Sequence, residues 1–157
     1  MNSQILVFGS TGMLGNYVFR FLSENHNVTP IFRSSFDVLQ NNYNILDKII
    51  KDFVNNSSNT TKIVINCIGL IPQKNVNNSI QDYFKINSMF PQYLNNLCKK
   101  FDIKFIHIST DCVFNGMYSF YSEFNSANNN NSIYGISKHL GEPLDACTIR
   151  TSIIGEE

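Results

Sequence analysis

Residues 4–15, QILVFGSTGMLG, run an unbroken apolar segment straight into three glycines spaced three apart. Apolar residues then recur at helical intervals through MLGNYVFRFLSEN, at Leu14, Val18, Phe21 and Leu22. A strand that enters a helix through so short a turn leaves few folds open. Gly9 permits the sharp exit from the strand, Gly12 keeps a Cβ away from anything that approaches the backbone, and Gly15 lets the helix lie close on a sheet. The amides of Met13 and Leu14 fall at the positive end of the helix, where they can donate to phosphate oxygens, and Ser10 and Thr11 add hydroxyls. GxxGxxG is one residue looser than the common dinucleotide fingerprint, and a tight turn that binds nothing is the competing reading. Its place, after the first strand and opening the first helix, favours a nucleotide site.

The rest of the chain repeats the alternation. Strand-like runs are NVTPIFR, KIVINCIG, IKFIHIS and ACTIRTSIIG; helical patterns are NILDKIIKDFVNN, the long SIQDYFKINSMFPQYLNNLCKKF, and SIYGISKHLGEPL. Pro30 predicts an irregular start to the second strand, and Pro91 a kink or break over residues 87–90. The strands are continuously apolar rather than alternating, as parallel strands buried on both faces are. The expected fold is therefore α/β, a doubly wound parallel sheet of Rossmann-like type, in one domain over residues 1–157. Asparagine-rich clusters fall between these runs and are read as loops.

Composition narrows the function classes. A formal net charge of zero argues against a broad basic surface for nucleic acid. No apolar run approaches membrane-spanning length, and the first residues lack the basic start of a signal peptide. Cys67, Cys98, Cys112 and Cys147 are widely spaced with no CxxC pair, so they are expected to be buried, reduced thiols of a cytoplasmic protein, with no metal site.

Two further features carry chemistry. Arg33, Ser34 and Ser35 stand at the end of the second strand, where an NAD site usually has an acid. An arginine there suits a 2′-phosphate, so NADP(H) is favoured over NAD(H), against the reading of Arg33 as a solvated loop cation. Tyr134 and Lys138, in YGISK, are four apart on a helix and share a face. An ammonium beside a phenol lowers its pKa and suits it to exchange a proton with a carbonyl oxygen. The spacing is a common one; its position, on the helix after the strand that ends in STD, is what counts.

Taken in order, GSTGMLG, FDV, VINCIG, INSMFPQYL, STDCVFNG, YGISKHLGE and IRTSIIG resemble the extended short-chain dehydrogenase/reductase superfamily, and within it the dTDP-4-dehydrorhamnose reductase family. The resemblance implies a reductase that uses NADP(H) on a nucleotide-activated 4-keto-6-deoxy sugar. It gives Thr110 as the hydroxyl that meets the substrate carbonyl, Tyr134 as general acid, Lys138 as its activator, and Asn87 as the residue that holds the lysine through water. Asp37 and Val38 would flank the adenine, and Cys67, Ile68 and Gly69 would lie beneath the cofactor after the family's fourth strand. Asp111 belongs to the same motif without a clear role. Phe114, Tyr118, Phe120, Tyr121 and Phe124 either line a sugar-nucleotide pocket or pack as an ordinary loop. His107, inside its strand, is read as a core residue.

The family's C-terminal substrate part has no counterpart in the chain, which is expected to expose apolar surface and leaves a homo-oligomer open. Two rival readings remain: an epimerase or dehydratase of a nucleotide sugar, and a non-catalytic regulatory module resembling the β subunit of methionine adenosyltransferase.

Overall fold

A computed structural model describes residues 3–40, 42–56, 60–72, 78–118, 120–129 and 131–152. The elements in chain order are β1 (Gln4–Phe8), α1 (Met13–Ser23), β2 (Asn27–Ile31), a 3₁₀ turn (Val38–Gln40), α2 (Tyr43–Asn55), β3 (Lys62–Asn66), α3 (Ile80–Phe84), a π-helical turn (Lys85–Met89), α4 (Phe90–Lys100), β4 (Lys104–Thr110), a second 3₁₀ turn (Asp111–Val113), α5 (Ile133–Leu140) and β5 (Cys147–Thr151). The last residues of the expected final strand, 153–155, lie outside the described residues.

All five strands are parallel, in the order β2-β1-β3-β4-β5. This is one of the two common doubly wound orders. The three most apolar segments, β1, β3 and β4, take the three central places. The more polar NVTPI and CTIRT take the edges, and an edge is where Pro30 breaks no ladder on both sides.

Alternate residues feed two cores. Leu6 pairs with Val64 and Val64 with Phe105, and these join the larger core with Phe8, Phe90 and the apolar sides of α2 and α4. The neighbouring set, Ile5, Val7 and Ile65, faces Val18 and Leu22 of α1. After β1 the chain crosses to β2 on one side, and from β3 it proceeds to the other. The carboxyl ends of β1 and β3 therefore open a crevice between diverging connections, which is where ligands sit in such sheets.

Pro91 does more than kink its helix. It stands at the second position of α4, and the turn before it widens to π spacing, with the Phe90 amide donating to the Lys85 carbonyl. Proline has no N–H for the carbonyl four residues back, so the α-helical ladder is interrupted there, and such turns gather at functional sites. Among the described residues no helix is long and apolar enough to cross a membrane. The cysteines differ from expectation. Cys98 is buried and Cys67 partly so, but Cys112 and Cys147 are exposed. One lies in the turn beyond the end of β4 and the other opens an edge strand, so neither has a covering element.

Candidate active site and cofactor cleft

A cleft of about 280 Å³ opens at the carboxyl ends of β1, β2 and β3. Gly9, Thr11, Gly12, Arg33, Asp37, Val38, Cys67, Ile68 and Gly69 all line it, from three separate stretches of the chain. The resemblance counts the strand before Cys67 as the fourth; here it is the third. Gly9 has φ +79, and a Cβ there would lie 2.9 Å from the Cys67 carbonyl carbon, so only glycine permits the two loops to close on each other. Gly12 caps α1 without any side-chain bond, and Met13 and Leu14 supply the first two amides of the helix. Those amides have no intrahelical acceptor. Gly15 meets the backbone of Gly9 and serves packing rather than lining. Ser10 departs from expectation: it is buried, and its hydroxyl turns away to the Ile31 carbonyl at 3.4 Å.

Arg33 is largely exposed, and its Nε bonds Asp37 Oδ2 at 2.9 Å. The other Asp37 oxygen accepts the Leu39 amide at 3.0 Å, so the carboxylate is fully engaged and holds the guanidinium at the rim of the cleft. The terminal nitrogens of Arg33 have no partner among the described residues. Phe36, Leu39, Leu70, Asn78 and Ile86 also line the cleft, and the sequence reading missed them. Nothing local marks an apolar residue as lining rather than core. Cys67 is a neutral thiol, pushed up to about 11 chiefly by burial.

Thr110, Tyr134, Lys138 and Asn87 do not line this cleft; Lys138 and Asn87 reach it at Gly69, and β4 and α5 bring the polar residues together beyond that point. Thr110 ends β4, and its Oγ1 accepts the Cys112 amide at 3.1 Å and donates to Asp111 Oδ1 at 3.3 Å. The Thr110 side chain also lies near enough to the Tyr134 phenol to favour its ionised form. The approach is steric in origin: a Cβ on Gly135 would lie 2.4 Å from the Cys112 carbonyl oxygen, so its absence lets α5 press on the turn after Thr110.

Tyr134 and Lys138 do not interact as the helical spacing suggests. Burial raises the Tyr134 phenol above 10.0; the Thr110 hydrogen bond opposes this, and the neighbouring Cys112, Asp111 and Tyr83 add to it. Lys138 is buried, and its Nζ donates to the Ile108 carbonyl at 2.6 Å. Burial brings its ammonium down to about 8, against the pull of Glu142 and Cys67. A desolvated ammonium takes the nearest backbone acceptor, and here that is the strand, not the phenol.

Asn87 lies in the π-helical turn, fully buried. The resemblance links it to the lysine through water. Its direct bonds are to the Leu70 amide at 2.8 Å, the Leu70 carbonyl at 3.0 Å and Ser137 Oγ at 3.0 Å. It thus ties the cleft floor to α5. Asn87 Oδ1 and Lys138 Nζ nevertheless converge: a Cβ on Gly69 would lie 3.8 Å from one and 3.7 Å from the other. Ser88 Oγ reinforces the tie by donating to the Ser137 carbonyl at 2.6 Å. Ser88 and Ser137 were not singled out in the sequence, because their partners are about fifty residues apart.

His107 is in the core. It lies beside Asn66 in register, with its Nδ1 at 3.2 Å from Asn66 Nδ2. Asn66 Oδ1 in turn accepts the Ile68 amide at 3.0 Å and shapes the loop under the cleft.

A second, larger hollow of about 880 Å³ lies on the other side of Asp111 and Cys112, over β5. Phe114 and Tyr121 line it, stacked with centroids 4.2 Å apart. Asp111, Glu123, Glu142 and Arg150 supply its charge. Tyr118, Phe120 and Phe124 are exposed and do not line it, so only two of the five aromatics join a wall.

The chain matches the family model described as the RmlD substrate binding domain over residues 3–154. No curated protein matches it. Among solved structures, it is similar to a hypothetical dTDP-4-dehydrorhamnose reductase from Sulfolobus tokodaii, at 29% identity and TM-score 0.77, covering 94% of this chain and 55% of that one. It is similar to a dTDP-4-dehydrorhamnose reductase from Clostridium acetobutylicum, at 27% identity and TM-score 0.70, covering 88% and 47%. A dTDP-4-dehydrorhamnose reductase from Bacillus anthracis str. Ames, in complex with NADP, shares the fold at 23% identity and TM-score 0.73, covering 90% and 48%. The chain thus spans about half the length of the solved structures it matches.

Proposed function

The chain belongs to the RmlD substrate binding domain family, and from that premise we propose that residues 1–157 form the cofactor-binding and proton-transfer part of an NADP(H)-dependent reductase of a nucleotide-activated 4-keto-6-deoxy sugar. The observation that carries this reading is the glycine-lined cleft with Lys138 Nζ and Asn87 Oδ1 against its Gly69 floor, on the helix and turn packed beside the strand that ends in Thr110.

The residues present fit a dinucleotide. The uncapped start of α1 offers the Met13 and Leu14 amides to a diphosphate, and Gly12 keeps the approach clear of a Cβ. Arg33, braced by Asp37, would take the 2′-phosphate with its terminal nitrogens. Val38 would bound the adenine, Cys67, Ile68 and Gly69 would form the floor, and Lys138 would hold ribose hydroxyls.

The reduced nicotinamide supplies the hydride when bound. Thr110 would orient the keto oxygen by a hydrogen bond, and Tyr134, protonated at neutral pH, would give its proton to that oxygen. The Lys138 ammonium would stabilise the phenolate left behind once a ligand draws it from the Ile108 carbonyl. The stacked Phe114 and Tyr121 would form one wall for the sugar nucleotide. The protein would act in the cytoplasm.

The test is loss of absorbance in the reduced-nicotinamide band on adding a 4-keto-6-deoxy sugar nucleotide. Tyr134→Phe is expected to slow it by about 10²- to 10⁴-fold, the range for a lost general acid. Equal oxidation by parent and variant ends the assignment. Sugar turnover without net use of NADPH would instead mark an epimerase or dehydratase, and a co-purifying partner without turnover a regulatory module. Arg33→Ala is expected to weaken NADPH binding about tenfold relative to NADH, since one hydrogen bond to a charged group contributes roughly 1.5 kcal/mol. Calorimetric titration of both nucleotides reads the ratio, and an unchanged ratio removes Arg33 from the 2′-phosphate.

A further inference from the structure

Glu142 follows α5 directly, and its carboxylate is almost wholly covered. Oε1 accepts from Ser109 Oγ at 2.6 Å and from Arg150 Nε at 2.9 Å. Oε2 accepts from Arg150 Nη2 at 2.7 Å and meets His139 Nδ1 at 3.3 Å. Burial opposes its ionisation, but the bonds from Arg150, Ser109 and His139 hold the carboxyl below its usual range. The arginine fork engages both carboxylate oxygens, so the plane of the acceptor is fixed and Ser109 meets it in one orientation.

The placement of this joint matters more than its strength. Thr110 rides on the end of β4 and Tyr134 on α5, with no short covalent path between them. Ser109 is the residue before Thr110, and Glu142 lies just past the C-terminal cap of the helix that carries Tyr134. We propose that Glu142, locked by Arg150, is a positioning residue that acts through Ser109 to set the Thr110 hydroxyl against the Tyr134 phenol. Arg150 extends the joint beyond the helix. It lies beside Ser109 in the β4–β5 register, places its guanidinium 5.1 Å from the Phe114 ring centroid, and donates to the Asn125 carbonyl at 3.1 Å. One ion pair therefore restrains the strand end, the helix and the loop that follows Thr110. The catalytic meaning of this inference rests on the reading of Thr110 and Tyr134 as the reacting pair; the geometry it asserts does not.

The test needs no turnover. The Cys112 amide donates to Thr110 Oγ1, so its exchange rate and its ¹H–¹⁵N signal report where that hydroxyl sits, and ¹³C-labelled tyrosine, assigned with Tyr134→Phe, reports the phenol. In Ser109→Ala, exchange of the Cys112 amide is expected to quicken about tenfold, the equivalent of one hydrogen bond. The Tyr134 signal should move in the direction seen in Thr110→Val. Ser109→Thr should restore both, and Ser109→Ala added to Thr110→Val should change neither further. Unmoved signals in Ser109→Ala overturn the proposal. So does a quickening shared equally by all core amides, because a joint that is merely structural loosens everything alike. Nucleotide titration of the same samples separates the two readings: failure to bind NADPH sinks the reductase, while the signals judge the positioning.

Discussion

Gly141→Ala is expected to lower the unfolding free energy by about 3 kcal/mol, at the upper end of what overpacking costs. Gly141 caps α5 where that helix crosses the π-helical turn. An added Cβ would lie 1.7 Å from the Asn87 carbonyl oxygen, 2.9 Å from its carbonyl carbon and 3.1 Å from Pro91 Cγ. All three neighbours are backbone or ring atoms that cannot rotate aside. Relief requires α5 to lift off the turn, which breaks the Asn87 and Ser88 bonds to Ser137 and carries Tyr134 and Lys138 with it. In a chain of this size the melting point should fall by roughly 6–12 °C. Gly12→Ala is the contrast, because its Cβ would meet only the Gly9 carbonyl oxygen at 3.3 Å. A Gly141→Ala melting point within a degree or two of that control refutes the close crossing.

Acid should destabilise the protein well before its carboxylates titrate. Burial, helped by the Lys138 ammonium, brings the His107 imidazole from 6.5 down to about 3. The folded state thus resists a proton that the unfolded state accepts. The contribution of this one group is complete above pH 6.5 and is lost as pH falls from there toward 3, at about 1.4 kcal/mol per pH unit. At pH 4.5 the loss is roughly 3 kcal/mol. Glu142, held below 4.5, adds its own loss at still lower pH, because its stabilisation is present above that value and vanishes as the carboxyl is protonated. His107→Phe, which keeps a ring beside Phe105, is the informative variant. It will be less stable at neutral pH, since Asn66 loses a partner, but its stability should change little between pH 6.5 and 4.5. Denaturant melts at those two values decide it: parallel losses in parent and variant would show that the acid sensitivity lies elsewhere.

The scaffold was legible where the constraint is short in sequence. QILVF, KIVIN and KFIHIST are apolar on both faces, and a strand of that kind belongs inside a parallel sheet, where all three are found. Proline at residue 91 announced an interruption, though not that it would take π form. The candidate site was legible in part. Nine expected cofactor-lining residues meet in one cleft, but Ser10 faces β2, and Asp37 is occupied by Arg33 and Leu39. The i, i+4 spacing of Tyr134 and Lys138 gave a shared helix face and suggested an ion-assisted phenol. It could not show that burial would raise the phenol and turn the ammonium to Ile108.

Sterics and periodicity act over a handful of neighbouring residues, so the alternating elements, the glycine turn and the family motifs can be read directly from the amino-acid order. Proton affinity and the pairing of Thr110 with Tyr134, Asn87 with Leu70 and Ser137, or Glu142 with Ser109 and Arg150 depend on solvent removed and partners supplied by distant segments. Those sums have no value until the chain has folded and the segments are packed together, which is why they could be found only in three dimensions.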